Sequence, residues 1–185
     1  MANRYLPIGG ITDGTSNTIM LGEMVAGGAP DDIKGGGARM QSVQLWRASD
    51  CLARVNQVTR KLNAPFRADF RPQGGRAWDG RPYFCALTTI IPPNGPSCQW
   101  SDVDGNENMS TASSFHTGGA NVAMADGSVQ FISQSIDSGD ASAVDANVDN
   151  AQGWTAGVNR SGQSPWGVWG SLGSKNGGEV ASVSQ

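Results

Sequence analysis

The sequence predicts an α+β domain, and three observations predict it. Glycine is abundant, at 26 of 185 residues, about twice the ordinary share. Charged residues make up only 16%, against roughly 25% in an average globular chain. Residues 121–133 alternate apolar and polar side chains around an Asp-Gly pair, which is a hairpin pattern. Such a chain builds short strands joined by turns, and one stretch with helical spacing, 40–62, supplies the α part.

Asp13-Gly14 opens the first element. Glycine tolerates positive φ and aspartate can bond its own backbone, so the pair favours a tight turn. Thr15 or Ser16 offers a cap for a short helical turn instead. Residues 18–25 then read as a strand, with Ile19 and Leu21 on one face and Thr18 and Met20 on the other. The run "APDDIKGGGA" is a loop. Residues 40–62 predict the main helix. Val43, Trp46, Cys51 and Val55, with Leu45, Leu52 and Val58, recur at spacings of three, four and seven, and Pro65 stops the run. Trp46 reads as a core anchor. Tyr83 to Ile91 predicts a strand that Pro92-Pro93 ends.

The clearest element is the 121–133 hairpin. Asp126-Gly127 alone separates its strands, the pattern of a two-residue type I′ turn. Val122 and Met124 alternate with Asn121 and Ala123; Val129 and Phe131 oppose Gln130 and Ile132. Residues 137–150 are a small, acidic loop, and a Gly- and Trp-rich stretch follows. "VASVSQ" reads as a terminal strand or a tail. The expected architecture is a single domain over 1–185: an antiparallel sheet around the hairpin, packed on the 40–62 helix, with long Gly-rich loops.

The formal net charge is −3 and the 13 basic residues are scattered. The electrostatic footprint of a nucleic-acid binder is missing. No apolar run reaches the length of a membrane span, and the first 30 residues lack the layout of a signal peptide. Cys51, Cys85 and Cys98 form no C-x-x-C, which argues against a zinc knuckle or a thioredoxin motif. Cys85 and Cys98 flank the loop "ALTTIIPPNGPS", which predicts a staple between them in an exported protein, with Cys51 left free. The alternative is three small buried hydrophobes.

His116 is the only histidine, and Asp126 follows ten residues later. Nucleophilic catalysis needs a base beside a nucleophile, held by a third group. There is no G-x-S-x-G elbow, and Asp126 beside His116 would fix a tautomer rather than create a nucleophile. No catalytic residue is expected. Calcium is the better alternative: "SDVDGNEN" spaces Asp102, Asp104, Asn106 and Asn108 at every second position, as oxygen ligands for a hard cation require. Gly105 stands too early for an EF-hand loop, so a solvated Asx-rich turn competes with that reading. "KGGGAR" and "RPQGGR" lack the spacing of a phosphate loop. The six tryptophans offer either a sugar-stacking platform or core filler. A soluble calcium- or glycan-binding β-rich module is therefore one reading of the chain.

Four stretches point elsewhere: "ITDGTSNTIMLGE" (11–23), "PPNGPSC" (92–98), "FHTGGANVAMADGSVQFI" (115–132) and "VWGSLGSKNGGE" (168–179). Together they resemble the planctomycete-type prepilin-like proteins of the DUF1559 family, whose C-terminal signature is His, nine residues, Asp-Gly. His116, Asp126 and Gly127 fit that signature. The resemblance implies a type IV pilin-like or type II secretion pseudopilin-like subunit. Such a subunit has a cleavable leader, a long apolar membrane helix and a globular head with an antiparallel sheet. It implies structural assembly without catalysis, with other pilin-like or secretion-apparatus subunits as partners. It places the head in the periplasm, at the inner membrane or on the cell surface. This sequence begins like the middle of a family member, so it reads as a head incomplete at its N-terminus. On this reading Asp126-Gly127 is the hairpin turn, and His116 locks the approach to the first strand through a backbone carbonyl or a nearby Asp.

Overall fold

A computed structural model describes residues 7–40, 47–66, 72–76, 78–99, 108–143 and 163–178. In chain order its elements are β1 (Ile19–Gly22), β2 (Ala38–Arg39), α1 (Ala48–Leu52), α2 (Pro82–Cys85), β3 (Cys98–Gln99), β4 (Asn108–Met109), β5 (Gly119–Met124), β6 (Val129–Ser133) and α3 (Gly167–Leu172). Two 3-10 turns, Ile8–Gly10 and Thr15–Asn17, precede β1. The class is α+β. One sheet is antiparallel with strand order β1-β5-β6. The other has order β2-β3-β4, with β2 parallel to β3 and β4 antiparallel to it.

The hairpin stands where its alternation predicts, with β5 and β6 paired from Gly119–Ser133 to Ala123–Val129. Ala120, Val122, Met124 and Ile132 are buried, while Val129 and Phe131 face outward. Burial of a side chain the size of Val, Met or Ile contributes roughly 1.5–3 kcal/mol relative to exposure. The turn, however, is not type I′. The Met124 N–H donates to the Ser128 carbonyl and the Gly127 N–H to the Met124 carbonyl, each at 2.9 Å. The loop therefore has three residues, 125–127. Only Gly127 is left-handed, at φ +87°, whereas type I′ needs positive φ at both central positions and Asp126 does not have it. The geometry is a type I turn closed by a glycine bulge.

The buried face of this sheet meets Trp169 and Leu172 of α3 together with Ala112, not the 40–62 segment. That segment holds only one short helix, α1, within its described part; residues 41–46, including Trp46, lie outside the described residues. Beyond α1 the chain turns. The Asn56 side chain accepts the N–H groups of Val58 at 2.9 Å and Thr59 at 3.0 Å, and Arg60 is left-handed. A side chain that supplies local hydrogen bonds competes with the helix, and here it wins. Val58, expected on a buried stripe, is 92% exposed. The strand expected over Tyr83 to Ile91 begins instead as α2, because Pro82 sits at its first turn with φ pre-set for a helix. Within the strand expected at 18–25, the register shifts between Ile19 and Leu21. Ile19 packs on the core, whereas Leu21 is exposed, so the two do not share a face.

The second core cluster gathers Ala38, Met40, Ala48, Cys51, Leu62, Ile90, Ile91, Cys98 and Met109. Inside it Cys51 and Cys98 are disulfide-bonded, with Cα atoms 5.9 Å apart. The staple expected between Cys85 and Cys98 is therefore wrong. Cys85 lies exposed on α2 as a free thiol, while β3 carries Cys98 against α1. Closeness in sequence misled here, since the pairing depends on which element β3 packs against. Among the described residues no helix is long and apolar enough to cross a membrane.

The bridge spans 47 residues, a loop whose closure removes about 4 kcal/mol of unfolded-state entropy on a chain-entropy estimate. Alkylation of the unreduced protein should add one label, on Cys85. Cys51→Ser should lose about 2–4 kcal/mol in denaturant unfolding. Three labels would refute the bridge.

Candidate functional site

The residues of the four stretches meet at the first sheet. Asp13 ends up 8% exposed. Its Oδ2 accepts the Ser174 hydroxyl at 2.8 Å and the Gly177 N–H at 2.7 Å, and its Oδ1 accepts the Gly178 N–H at 3.0 Å. The Lys175 carbonyl returns the tie by accepting the Thr12 N–H at 2.8 Å. Burial pushes the Asp13 carboxyl up. The Ser174 hydroxyl, the two glycine N–H groups and the Lys175 charge outweigh it and hold Asp13 below the usual carboxylate range. Gly14 has φ +96° and stands as the cap of a short helical turn, Thr15–Asn17, so Thr15 and Ser16 lie inside that turn and do not cap it. Asp13 thus joins 11–23 to 168–179.

Asp126 works at the other end of β5. Its Oδ1 accepts the Ser128 N–H at 2.9 Å and hydroxyl at 2.7 Å, which hold its carboxyl low, and its N–H donates to the Thr15 carbonyl at 3.1 Å. His116 lies at the start of β5. Six strand residues at about 3.4 Å each put some 17 Å between the ends of β5, so His116 and Asp126 form no dyad. The acid beside His116 is Glu23, with Nε2 and Oε1 at 3.4 Å. Glu23 also accepts the Asn121 N–H at 2.8 Å and its side-chain amide at 3.1 Å. Burial raises the Glu23 carboxyl, but the Asn121 bonds and the His116 ring outweigh it and lower it. The His116 ring meets Phe131 edge-on at 6.5 Å. The residue facing the His116 ring is thus a glutamate, where a backbone carbonyl or an aspartate was expected.

Asn94, in "PPNG", closes the set. It is left-handed at φ +65°. It donates its amide to the Gly119 carbonyl at 3.0 Å and accepts the Ser114 N–H at 2.9 Å. Glu23, Asn94 and Asn121 carry as much of the site as His116. The one signal for them was that Glu23, Asn94 and Asn121 all stand inside the quoted stretches.

This arrangement holds backbone; among the described residues no hydroxyl or thiol is bonded to the His116 ring. Among the described residues no three His, Cys, Asp or Glu side chains converge. Asp102, Asp104 and Asn106, the expected calcium loop, lie outside the described residues, as do Trp100 and Trp154. Trp169 is fully buried and donates its indole N–H to the Ile91 carbonyl at 2.8 Å, so it anchors a core and stacks on no sugar.

The fold and site therefore define a small α+β domain whose signature polar residues tie its own chain together. The family described as "protein of unknown function (DUF1559)" matches residues 1–139, and the chain belongs to that family. No curated protein and no solved structure matches it.

Asp13 is ionised in the folded state to a lower pH than in the unfolded chain, so it adds stability above the unfolded carboxylate value, near pH 4, that is lost as pH falls through the depressed folded value. Asp13→Asn should cost about 1–2 kcal/mol at pH 7 and flatten the acid limb of melting temperature against pH. An unchanged limb would remove Asp13 from this role. Gly127→Val should cost about 1–2 kcal/mol, because a β-branched residue resists the left-handed turn. His116→Gln should cost under about 1 kcal/mol, as for an exposed pair. Equal melting points for the two variants would contradict the turn geometry.

Proposed function

We propose that the chain is a non-catalytic structural subunit, the globular head of a type IV pilin-like or type II secretion pseudopilin-like protein. The observation that carries this reading is the fate of the polar residues in the four stretches. Asp13 and Asp126 spend their side chains on backbone N–H groups and a serine hydroxyl each, Asn94 on backbone groups, and Glu23 divides its own between Asn121 and His116. Such residues build a rigid head; a catalytic set would converge on a shared reacting point. The buried Cys51–Cys98 bridge supports an oxidising compartment: the periplasm, the outer face of the inner membrane or the cell surface. Its partners would be other pilin-like or secretion-apparatus subunits. The resemblance of residues 115–132 to a His, nine residues, Asp-Gly pattern supports the reading as well.

The test is fractionation of native cells carrying a tagged chromosomal copy, with alkylation at lysis and in-cell crosslinking. The expected outcome is periplasmic, membrane or sheared-surface protein with one alkylated thiol, crosslinked to pilin-like subunits. Cytosolic protein with three alkylated thiols would overturn the proposal.

A further inference from the structure

Asn-Gly occurs twice in the chain, at 94–95 and at 176–177. The pair is chemically labile, because a glycine with no Cβ leaves its own amide nitrogen open to the side chain before it. The two pairs are held in opposite ways. At Asn94 the side chain is fixed: it donates to the Gly119 carbonyl at 3.0 Å and accepts the Ser114 N–H at 2.9 Å. The Gly95 N–H is engaged as well, on the Pro92 carbonyl at 3.1 Å. Asn176 is exposed, and its side-chain amide forms no hydrogen bond among the described residues. What is held there is the nitrogen that would attack. The Gly177 N–H donates to Asp13 Oδ2 at 2.7 Å and to Ser174 Oγ at 2.8 Å, and the Gly178 N–H donates to Asp13 Oδ1 at 3.0 Å.

The reaction in question needs only solvent water. The Gly177 nitrogen attacks Asn176 Cγ. The N–Cγ bond forms, the Cγ–Nδ2 bond breaks, and the side-chain nitrogen leaves as ammonia with the proton that Gly177 gives up. Water then opens the cyclic imide to aspartate or to isoaspartate. The attacking nitrogen must shed its proton, and Asp13 opposes that step. A carboxylate is too weak a base to take a proton from an amide. Its negative charge also disfavours an anion on the nitrogen it touches. We propose that Asn176 is a deamidation site held closed by Asp13, and that its conversion is a one-way release of residues 174–178 from residues 11–23. Either product sets a new carboxylate close to Asp13, and isoaspartate also lengthens the main chain by a methylene ahead of Gly177. Both changes act against the bonds from Gly177 and Gly178 to Asp13. The proposal stands apart from the pilin-like reading.

The test incubates the folded full-length protein beside a free peptide of residues 173–179, which has no Asp13, at mildly alkaline pH. Conversion at each asparagine is followed by peptide mass spectrometry. Asn176 in the protein should convert at least about tenfold more slowly than in the peptide, the fold-change that a charge-assisted hydrogen bond sustains. Asp13→Ala should speed Asn176 by about tenfold and Ser174→Ala by less, with Asn94 unconverted in both. The converted protein, separated by its added charge, should melt below the unconverted one. A peptide-like rate in the unaltered protein, an unchanged rate in Asp13→Ala, or an unchanged melting temperature after conversion would overturn the proposal. A rise at Asn94 in step with Asn176, in both variants, would trace the gain to general unfolding and overturn it too.

Discussion

A peptide group taken out of water must find a hydrogen-bond partner, and that constraint shapes this molecule more than any other. Its regular structure is sparse: the longest strand and the longest helix have six residues each among those described. Ladders and helical turns therefore satisfy only part of the buried backbone. Side chains do the rest. Between β4 and β5 the residues Ser110, Thr111, Ser113 and Ser114 are all 6% exposed or less. The Thr111 hydroxyl donates to the Pro96 carbonyl at 2.8 Å, Ser113 Oγ accepts the Val25 N–H at 3.0 Å, and the Ser114 hydroxyl donates to the Gly119 carbonyl at 2.6 Å. This segment runs from one sheet to the other as a buried strand-like trunk whose hydroxyls replace a neighbouring strand.

The same constraint explains how two modest cores make one structure. Each cluster is small, and each is closed by something other than apolar burial. The first holds the Cys51–Cys98 bridge; the second is closed from outside by Asp13 gripping 174–178. Residues 166–172 belong to both, since Trp166 packs on the first cluster while Trp169 and Leu172 lie in the second. The two cores are thus joined through one short segment without sharing a sheet.

Legibility in the sequence followed the same division. The 121–133 hairpin was readable because period-two alternation and a glycine needing positive φ are local signals. The turn at Asp13-Gly14 was readable for that reason too. The long grip of Asp13 on Gly177 spans 164 residues, and nothing local announces it. The 40–62 run failed because its apolar spacing was real but Asn56 diverted the backbone, leaving Val58 in solvent. The disulfide failed because pairing depends on where β3 meets α1, which is a property of the assembled fold. Glu23 went unassigned because its partner His116 lies on an element 93 residues away; only the folded sheet brings β1 and the start of β5 side by side.

The spacing of His116 and Asp126-Gly127 now has a physical meaning. The nine residues between them are Thr117 and Gly118, the six of β5, and Ala125. Both ends are fixed by residues flanking β1, Thr15 before it and Glu23 just after it. At one end Glu23 takes the His116 ring, and at the other the Thr15 carbonyl takes the Asp126 N–H. The interval is therefore the length of strand needed to lie along β1. Side chains in a strand alternate between faces, so one residue more or fewer would turn Val122 and Met124 outward or pull the turn off Thr15. A spacing that looks like a pair of reacting groups is here a measure of strand length. Both of its ends are held while the middle must keep its face.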